Sequence, residues 1–329
     1  MNQDLMTRLF RSIEGNRDDD IVKVAYRIVE DERNKGHDRL ADRLTDILEK
    51  NIKRQGFQGE LKRLIPQGVS IPTDTRNKLP LATPVERELL RHEMILPNEV
   101  ETKIQRIEKE YVARERLARY GLKPKKKILL YGHPGCGKSM SAERIAWNIG
   151  LPFLKVRFEA IISSYLGESA TNLTKLFESL KTYPCVLLLD EFDFIAQSRT
   201  TAQDVGEMHR IVNILLNLLE EYNSPGLLIA TTNLENALDK ALFRRFDDII
   251  EIPMPGQTEI CQLLKHTLAA INVNKGVDWN ELAKDMLGFS AALIVKIATD
   301  AAKMTVIDGE QIVTQAYLNK AYEENKQYR

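Results

Sequence analysis

Three widely spaced cysteines in 329 residues leave no disulfide framework, and no CxxC or Cys/His cluster is present to hold a structural metal. Cys136, Cys185 and Cys261 are odd in number, and two fall in or beside strand-like apolar runs, as thiols of a reducing compartment do. Net charge is also lacking: 47 basic residues against 47 acidic ones give no global pull toward nucleic acid or an anionic membrane. No apolar stretch approaches the roughly 18 residues that cross a bilayer, and the N-terminus shows no apolar core of signal length. These absences exclude a disulfide-stapled scaffold and a membrane-spanning helix, and the expected location is the cytoplasm. What is present, 43% apolar residues over this length, suffices for two or three globular domains.

Residues 1–53 read as a small helical bundle. Leu5, Met6, Leu9, Phe10 and Ile13 share one face, Ile21, Val24, Ala25, Ile28 and Val29 another, and Leu40, Leu44, Ile47 and Leu48 a third. Lys35-Gly36-His37 is the turn before the last of these helices. Residues 54–97 hold five of the twelve prolines and break any long element, so they read as a linker with a short helix at Val85–His92. A charged helix follows to Arg119. Strands and helices then alternate, with apolar runs at Lys127–Tyr131, Phe153–Phe158, Cys185–Leu189, Leu227–Thr231 and Asp248–Ile252. That alternation predicts an α/β domain with a parallel sheet over 98–256. Helical patterns at Thr258–Ala270, Trp279–Leu287, Ala291–Ala302 and Gln311–Glu323 predict a separate all-helical domain over 257–329.

The first of these strands runs directly into Gly132-His133-Pro134-Gly135-Cys136-Gly137-Lys138-Ser139, a G-x-x-x-x-G-K-[ST] phosphate loop. Such a loop curls backbone N–H groups around an anion, and the helix behind it adds its positive dipole end. Residues His133 to Met140 are therefore the expected nucleotide contacts: His133, Pro134, Gly135, Cys136, Gly137, Lys138, Ser139 and Met140. Lys138 reaches the terminal phosphates, and Ser139 is placed to ligate Mg²⁺.

A second strand, Val186-Leu187-Leu188-Leu189, ends in Asp190 and Glu191, at the edge where an open α/β sheet presents its site. Asp190 fits a grip on Mg²⁺, and Glu191 fits the base that polarises an attacking water. A solvated strand end is the alternative for this pair. Asn233, in Thr231-Thr232-Asn233, could hold that water and a phosphate oxygen. Arg244 and Arg245 are adjacent guanidinium groups of the kind that complete another subunit's site, where such a group supplies about 10³ to 10⁵ in rate.

The motifs GHPGCGKS, LLLDE, TTN and ALFRRFD, in this order and spacing, resemble the AAA clade of the AAA+ ATPases over about Glu99 to Lys326. The resemblance implies a P-loop NTPase sheet of strand order 5-1-4-3-2 with a C-terminal helical lid. It implies ATP and Mg²⁺ as cofactors, a homo-oligomeric ring, expected to be a hexamer, and arginine fingers at Arg244 and Arg245 acting between subunits. It also aligns Tyr165-Leu166-Gly167 with a pore loop, in which Tyr165 and Leu166 grip a polypeptide client. Tyr165 packed on its own domain is the alternative.

Three departures stand out. Cys136 replaces the usual small residue of the loop and offers a thiol there. In the lid, Ala291 and Leu293 stand where the family pattern has Gly and Asp, and the arginine segment lacks a Pro-Gly insertion, which leaves the register of the two arginines open. The reading is an ATP-driven protein remodeller: an unfoldase, a disassembly motor or a protease-associated ATPase. The short N-terminal bundle is similar to that of small bacterial AAA proteins, some encoded beside proteases, which makes a protease a possible partner. The rival is an AAA+ ATPase assisting a nucleic-acid transaction through a basic face such as Lys123–Lys127. Zero net charge and the aromatic loop argue against nucleic acid.

Overall fold

Short apolar strands that must be covered on both faces set the architecture. A computed structural model describes residues 28–29, 32–33, 37, 40–42, 44–47, 71–74, 78–162, 168–192, 205–233 and 243–328. The chain divides into two units, residues 1–68 with 268–272 and residues 69–267 with 273–329. In the first, residues 28–29, 32–33, 40–42 and 44–47 are helical, with Val29, Ala41 and Leu44 buried, and His37 at the expected turn is not helical. The other helices expected there lie outside the described residues.

Among the described residues the main sheet of the second unit has six strands: β1 (Ala82–Val85), β2 (Lys127–Tyr131), β3 (Phe153–Val156), β4 (Val186–Leu189), β5 (Leu227–Thr232) and β6 (Asp248–Glu251). They lie in the order β1-β3-β4-β5-β2-β6, all parallel except β1, which pairs antiparallel with β3. Counted from β2, the parallel strands therefore run 5-1-4-3-2, as expected.

Because side chains alternate across a strand, each strand feeds two cores. Leu129, Leu187, Leu189, Leu228 and Ala230 face α5 (Glu168–Ser179) and α6 (Val205–Glu221), which follow α4 (Phe158–Ile162). Ile128, Leu130, Val186, Leu188, Ile229 and Ile250 face α1 (Asn98–Val112) and α3 (Lys138–Ile149). Removing one such side chain, as in Leu129→Ala, costs about 2–5 kcal/mol.

Three local readings are corrected. Ala82–Val85 forms strand β1, although it lies in the stretch read as linker, and the helix expected at Val85–His92 is a 3-10 turn at Arg87–Leu89. Pro84 masks the strand in the sequence; proline donates no ladder bond and is tolerated on an edge strand such as this. The charged helix is broken at Ala113 into α1 and α2 (Arg114–Arg119). At the C-terminal end, Ile312–Val313 is a two-residue strand, and the last helix, α10, starts later than expected, at Gln315, and runs to Asn325.

The other lid helices are α7 (Gln257–Thr267), α8 (Trp279–Asp285) and α9 (Ala291–Ile307). They share an apolar interior of Ile260, Leu264, Leu282, Met286, Phe289, Ile294 and Ile297. Asp278 caps α8 by accepting from the backbone N–H groups of Asn280 and Glu281, and Ser290 caps α9 through Leu293.

Candidate functional site

Parallel pairing brings the C-terminal ends of β2, β4 and β5 to one edge of the sheet, and that edge carries the chemistry. The loop after β2 needs glycine for steric reasons. A Cβ on Gly132 would stand 2.3 Å from the Ile252 carbonyl oxygen, and Gly135, at φ +77°, would press one against Ser290 Oγ at 2.9 Å. Helix α3 begins at Lys138, so its N-terminal N–H groups open onto the loop. Lys138 is buried, and its Nζ donates to the carbonyl oxygens of Gly132 and His133, both at 2.8 Å. His133, Pro134 and Gly135 are exposed, while Ser139 and Met140 are half-buried.

Cys136 is buried, and burial pushes its thiol pKa up against the opposing pull of Lys138 and the Ala291 backbone. A covered, protonated thiol reacts slowly, so the thiol that Cys136 brings to the loop is a weakly reactive one.

Three side chains converge on Asp190. Its Oδ1 accepts from the hydroxyls of Ser139 and Thr231, each at 2.6 Å, and its Oδ2 accepts from Lys155 Nζ at 2.6 Å. Burial raises the Asp190 pKa, but the hydrogen bonds from Lys155, Ser139 and Thr231 outweigh it and hold the carboxyl below its usual range. The next residue, the exposed Glu191, has a left-handed backbone at φ 54°, which costs a residue with a Cβ about 1–2 kcal/mol. That turn is fastened by the Glu191 N–H to Thr231 Oγ1 at 3.1 Å and the Phe192 N–H to Thr231 O at 2.8 Å, with Phe192 fully buried. Asn233 follows β5 at the same edge and is half-buried.

Ser139 and Asp190 are hard oxygen donors already in contact, at the mouth of a phosphate loop. That set fits Mg²⁺, which is typically held by one or two protein oxygens, phosphate oxygens and water. The loop fits an anion, and the two acids stand where metal binding and water activation would be divided between them.

Arg244 and Arg245 lie elsewhere. They precede β6, whose Asp248 pairs with Ile128 at the start of β2, and Asp247 accepts from the backbone N–H groups of Lys126 and Lys127. The phosphate loop follows the other end of β2, about 13 Å further along the strand. Arg245 is tied to α6, donating to Leu216 O at 3.2 Å and pairing with Glu220 at 3.5 Å, whereas Arg244 is exposed. Tyr165 and Leu166 lie outside the described residues.

Two participants were missed in the sequence. Thr231 stood inside the TTN motif but was read only as a neighbour of Asn233. Lys155 had a faint signal, one charge inside the apolar run of β3. The lid also meets the loop directly, the Ala292 N–H donating to Gly135 O at 3.0 Å, and His266 lies 3.3 Å from Glu93 in the segment before α1.

Residues 128–254 match the model of the ATPase family associated with various cellular activities (AAA). Over 327 residues the chain is 34% identical to an uncharacterized AAA family ATPase, y4kL, of Sinorhizobium fredii, covering 99% of this chain and 96% of that one. The chain belongs to the AAA family of ATPases. This AAA ATPase hydrolyses ATP to ADP and phosphate. It is also similar to the 26S proteasome regulatory subunit 10B homolog A of Arabidopsis thaliana, 38% identical over 200 residues, which are 58% of this chain and 50% of that protein. The S10B homolog B of the same plant is 37% identical over 200 residues with the same coverage. The match thus spans half the length of the two proteasome subunits. Among the described residues no helix is long and apolar enough to cross a membrane.

Proposed function

We propose that this AAA ATPase is a cytoplasmic protein-remodelling motor that works as a homo-oligomeric ring, a hexamer, and grips a polypeptide client with Tyr165 and Leu166. The observation that carries the ring is the separation of its charged groups. Within one chain the arginines sit at the edge of the sheet opposite the phosphate loop, so an exposed Arg244 serves a nucleotide held by a neighbouring copy. Arg245, fastened to Leu216 and Glu220, holds the segment in place.

In the assembled site Lys138 leaves the Gly132 and His133 carbonyls for the terminal phosphates, which attract its ammonium more strongly. Ser139 and Asp190 would hold Mg²⁺, which when bound would neutralise phosphate charge. Glu191 accepts the proton of the attacking water, Asn233 orients that water, and Arg244 of a neighbouring copy meets the charge developing on the phosphoryl group.

Remodelling rather than nucleic-acid work is supported by the Tyr165-Leu166-Gly167 motif and by the likeness to proteasome regulatory subunits. The basic segment is also spoken for. Lys125 pairs with Asp248 at 2.5 Å, Lys126 donates to Ser224 O at 2.9 Å, and Lys127 donates to Leu219 O at 3.2 Å, so three of the four lysines in 123–127 serve the fold. A protease that receives the released chain is the expected kind of partner.

The test is a trap. Glu191→Gln in the native cell should hold ATP and retain client; mass spectrometry of the captured material should find protein chains recovered only with nucleotide. Recovery of nucleic acid, unchanged by Tyr165→Ala, would instead favour the rival reading.

A further inference from the structure

Lys155 occupies the sole exposed position of β3, between buried Leu154 and Val156, and its side chain remains 49% accessible. Its ammonium lies 2.6 Å from Asp190 Oδ2, whose own side chain is only 15% accessible. The other oxygen, Oδ1, is already engaged by two hydroxyl donors, Ser139 and Thr231. Of the two carboxylate oxygens, Oδ2 therefore retains the greater capacity to meet a hydrated metal ion, and a fixed cation stands on it. Divalent cations approach this carboxylate against a positive charge already in hydrogen-bond contact. Lysine is depleted in strands and this one does not add to the buried core, so what distinguishes its placement is the contact with Asp190.

We propose that Lys155 is a positioning residue that sets how readily the site takes Mg²⁺. It holds Asp190 and cancels its charge until nucleotide phosphates add enough negative charge for the metal to displace the ammonium from Oδ2. The proposal rests on the reading of Asp190 as the metal-side carboxylate. The consequence is coupling: metal enters with nucleotide rather than before it.

The experiment is a Mg²⁺ titration of the full chain with a fluorescent ADP analogue, followed through the analogue's affinity, beside direct Mn²⁺ binding by electron paramagnetic resonance without nucleotide. Lys155→Met should lower the half-saturating Mg²⁺ concentration by about three- to tenfold and should bind Mn²⁺ detectably without nucleotide. Lys155→Arg, which keeps the charge, should stay near wild type. Thermal unfolding checks that Lys155→Met is folded, and Lys155→Gln replaces it if it is not.

Unchanged metal dependence in the neutral variant, or a need for more metal, overturns the proposal. Asp190→Asn separates the two failures. If it alters the Mg²⁺ dependence while Lys155→Met does not, the role of Lys155 alone is wrong. If Asp190→Asn also has no effect, the metal-side reading of Asp190 falls, and the proposal with it.

Discussion

The Thr231 hydroxyl joins the two acids of the site: it accepts the backbone N–H of Glu191 at 3.1 Å and donates to Asp190 Oδ1 at 2.6 Å. It is 1% exposed, so neither bond is replaced by water if it is lost. Thr231→Val keeps the shape and removes both bonds. Glu191 then loses one of the two bonds that fasten its left-handed turn, while the Phe192 N–H to Thr231 O bond remains. We expect stability to fall by about 1–2 kcal/mol and hydrolysis by about 10²-fold, with nucleotide affinity nearly unchanged. Thr231→Ser should recover most of the rate. Thermal unfolding and steady-state turnover measure both, and wild-type turnover in the valine variant would remove Thr231 from the assembly.

Lys138→Ala and Glu191→Gln should fail at different steps. If Lys138 meets phosphate charge that is present in the ground state, as proposed, its loss should abolish nucleotide binding. Glu191 is exposed, and if it acts on water only as the bond breaks, as proposed, Glu191→Gln should bind ATP normally and turn it over very slowly. Equilibrium binding and single-turnover hydrolysis distinguish them. Near-normal turnover in Glu191→Gln would show that another group handles the water.

The sheet was legible because its strands are short apolar runs bounded by turns, and the phosphate loop because steric demand fixes its glycines. Strand β1 was not: Pro84 reads as a breaker, and only the free edge of β3, a tertiary fact, makes it a strand. Lys155 and Thr231 were hidden for a similar reason. Each is ordinary in its own segment and becomes part of the site only when parallel pairing sets β3 beside β4 and β4 beside β5, bringing all three strand ends to Asp190. Adjacent identical letters gave no sign that the surroundings of Arg244 and Arg245 differ. Packing makes them differ, because α6 offers one acceptor carbonyl and one carboxylate within reach of Arg245.

That difference predicts unequal variants. Arg244→Ala should bind ATP within a few-fold of wild type and lose about 10³-fold in hydrolysis. Arg245→Ala should cost about 1 kcal/mol of stability and less activity, because it loses a bond to Leu216 O and a solvent-screened pair with Glu220. Activity should rise more than linearly with protein concentration. Mixing Arg244→Ala with Lys138→Ala, whose arginines are intact, should restore part of it. If mixed rings form without any recovery, Arg244 does not act between subunits.

Acid should weaken the clasp between α1 and α3. Arg144 donates to both carboxylate oxygens of Glu101, at 2.5 and 2.7 Å, and this bonding lowers the Glu101 pKa despite opposing burial. A lowered pKa in the folded state contributes stability that is present above the ordinary glutamate value of about 4.3 and is lost as pH falls through the folded value. Glu101→Gln should therefore be less stable than wild type by about 1 kcal/mol at neutral pH, after allowance for solvent screening, and the gap should narrow toward pH 3. Paired thermal melts across that range test the sign; a gap that widens on acidification contradicts it.

Tyr165 is the residue on which the remodelling proposal depends most. If it contacts the client and not the nucleotide, Tyr165→Ala should keep basal ATP hydrolysis and ring assembly while losing work on a folded protein substrate. An aromatic face and its apolar area are what an extended, variable polypeptide can always meet, so Tyr165→Phe and Tyr165→Trp should largely preserve that work. The nucleic-acid alternative forecasts the reverse: changes at Tyr165 would be nearly silent, and neutralising Lys123, Lys125, Lys126 and Lys127 would weaken a salt-dependent DNA affinity. Because Lys125, Lys126 and Lys127 are bonded within the fold, that quadruple variant should chiefly lose stability. Client unfolding by Tyr165→Ala at the wild-type rate would exclude threading through this loop.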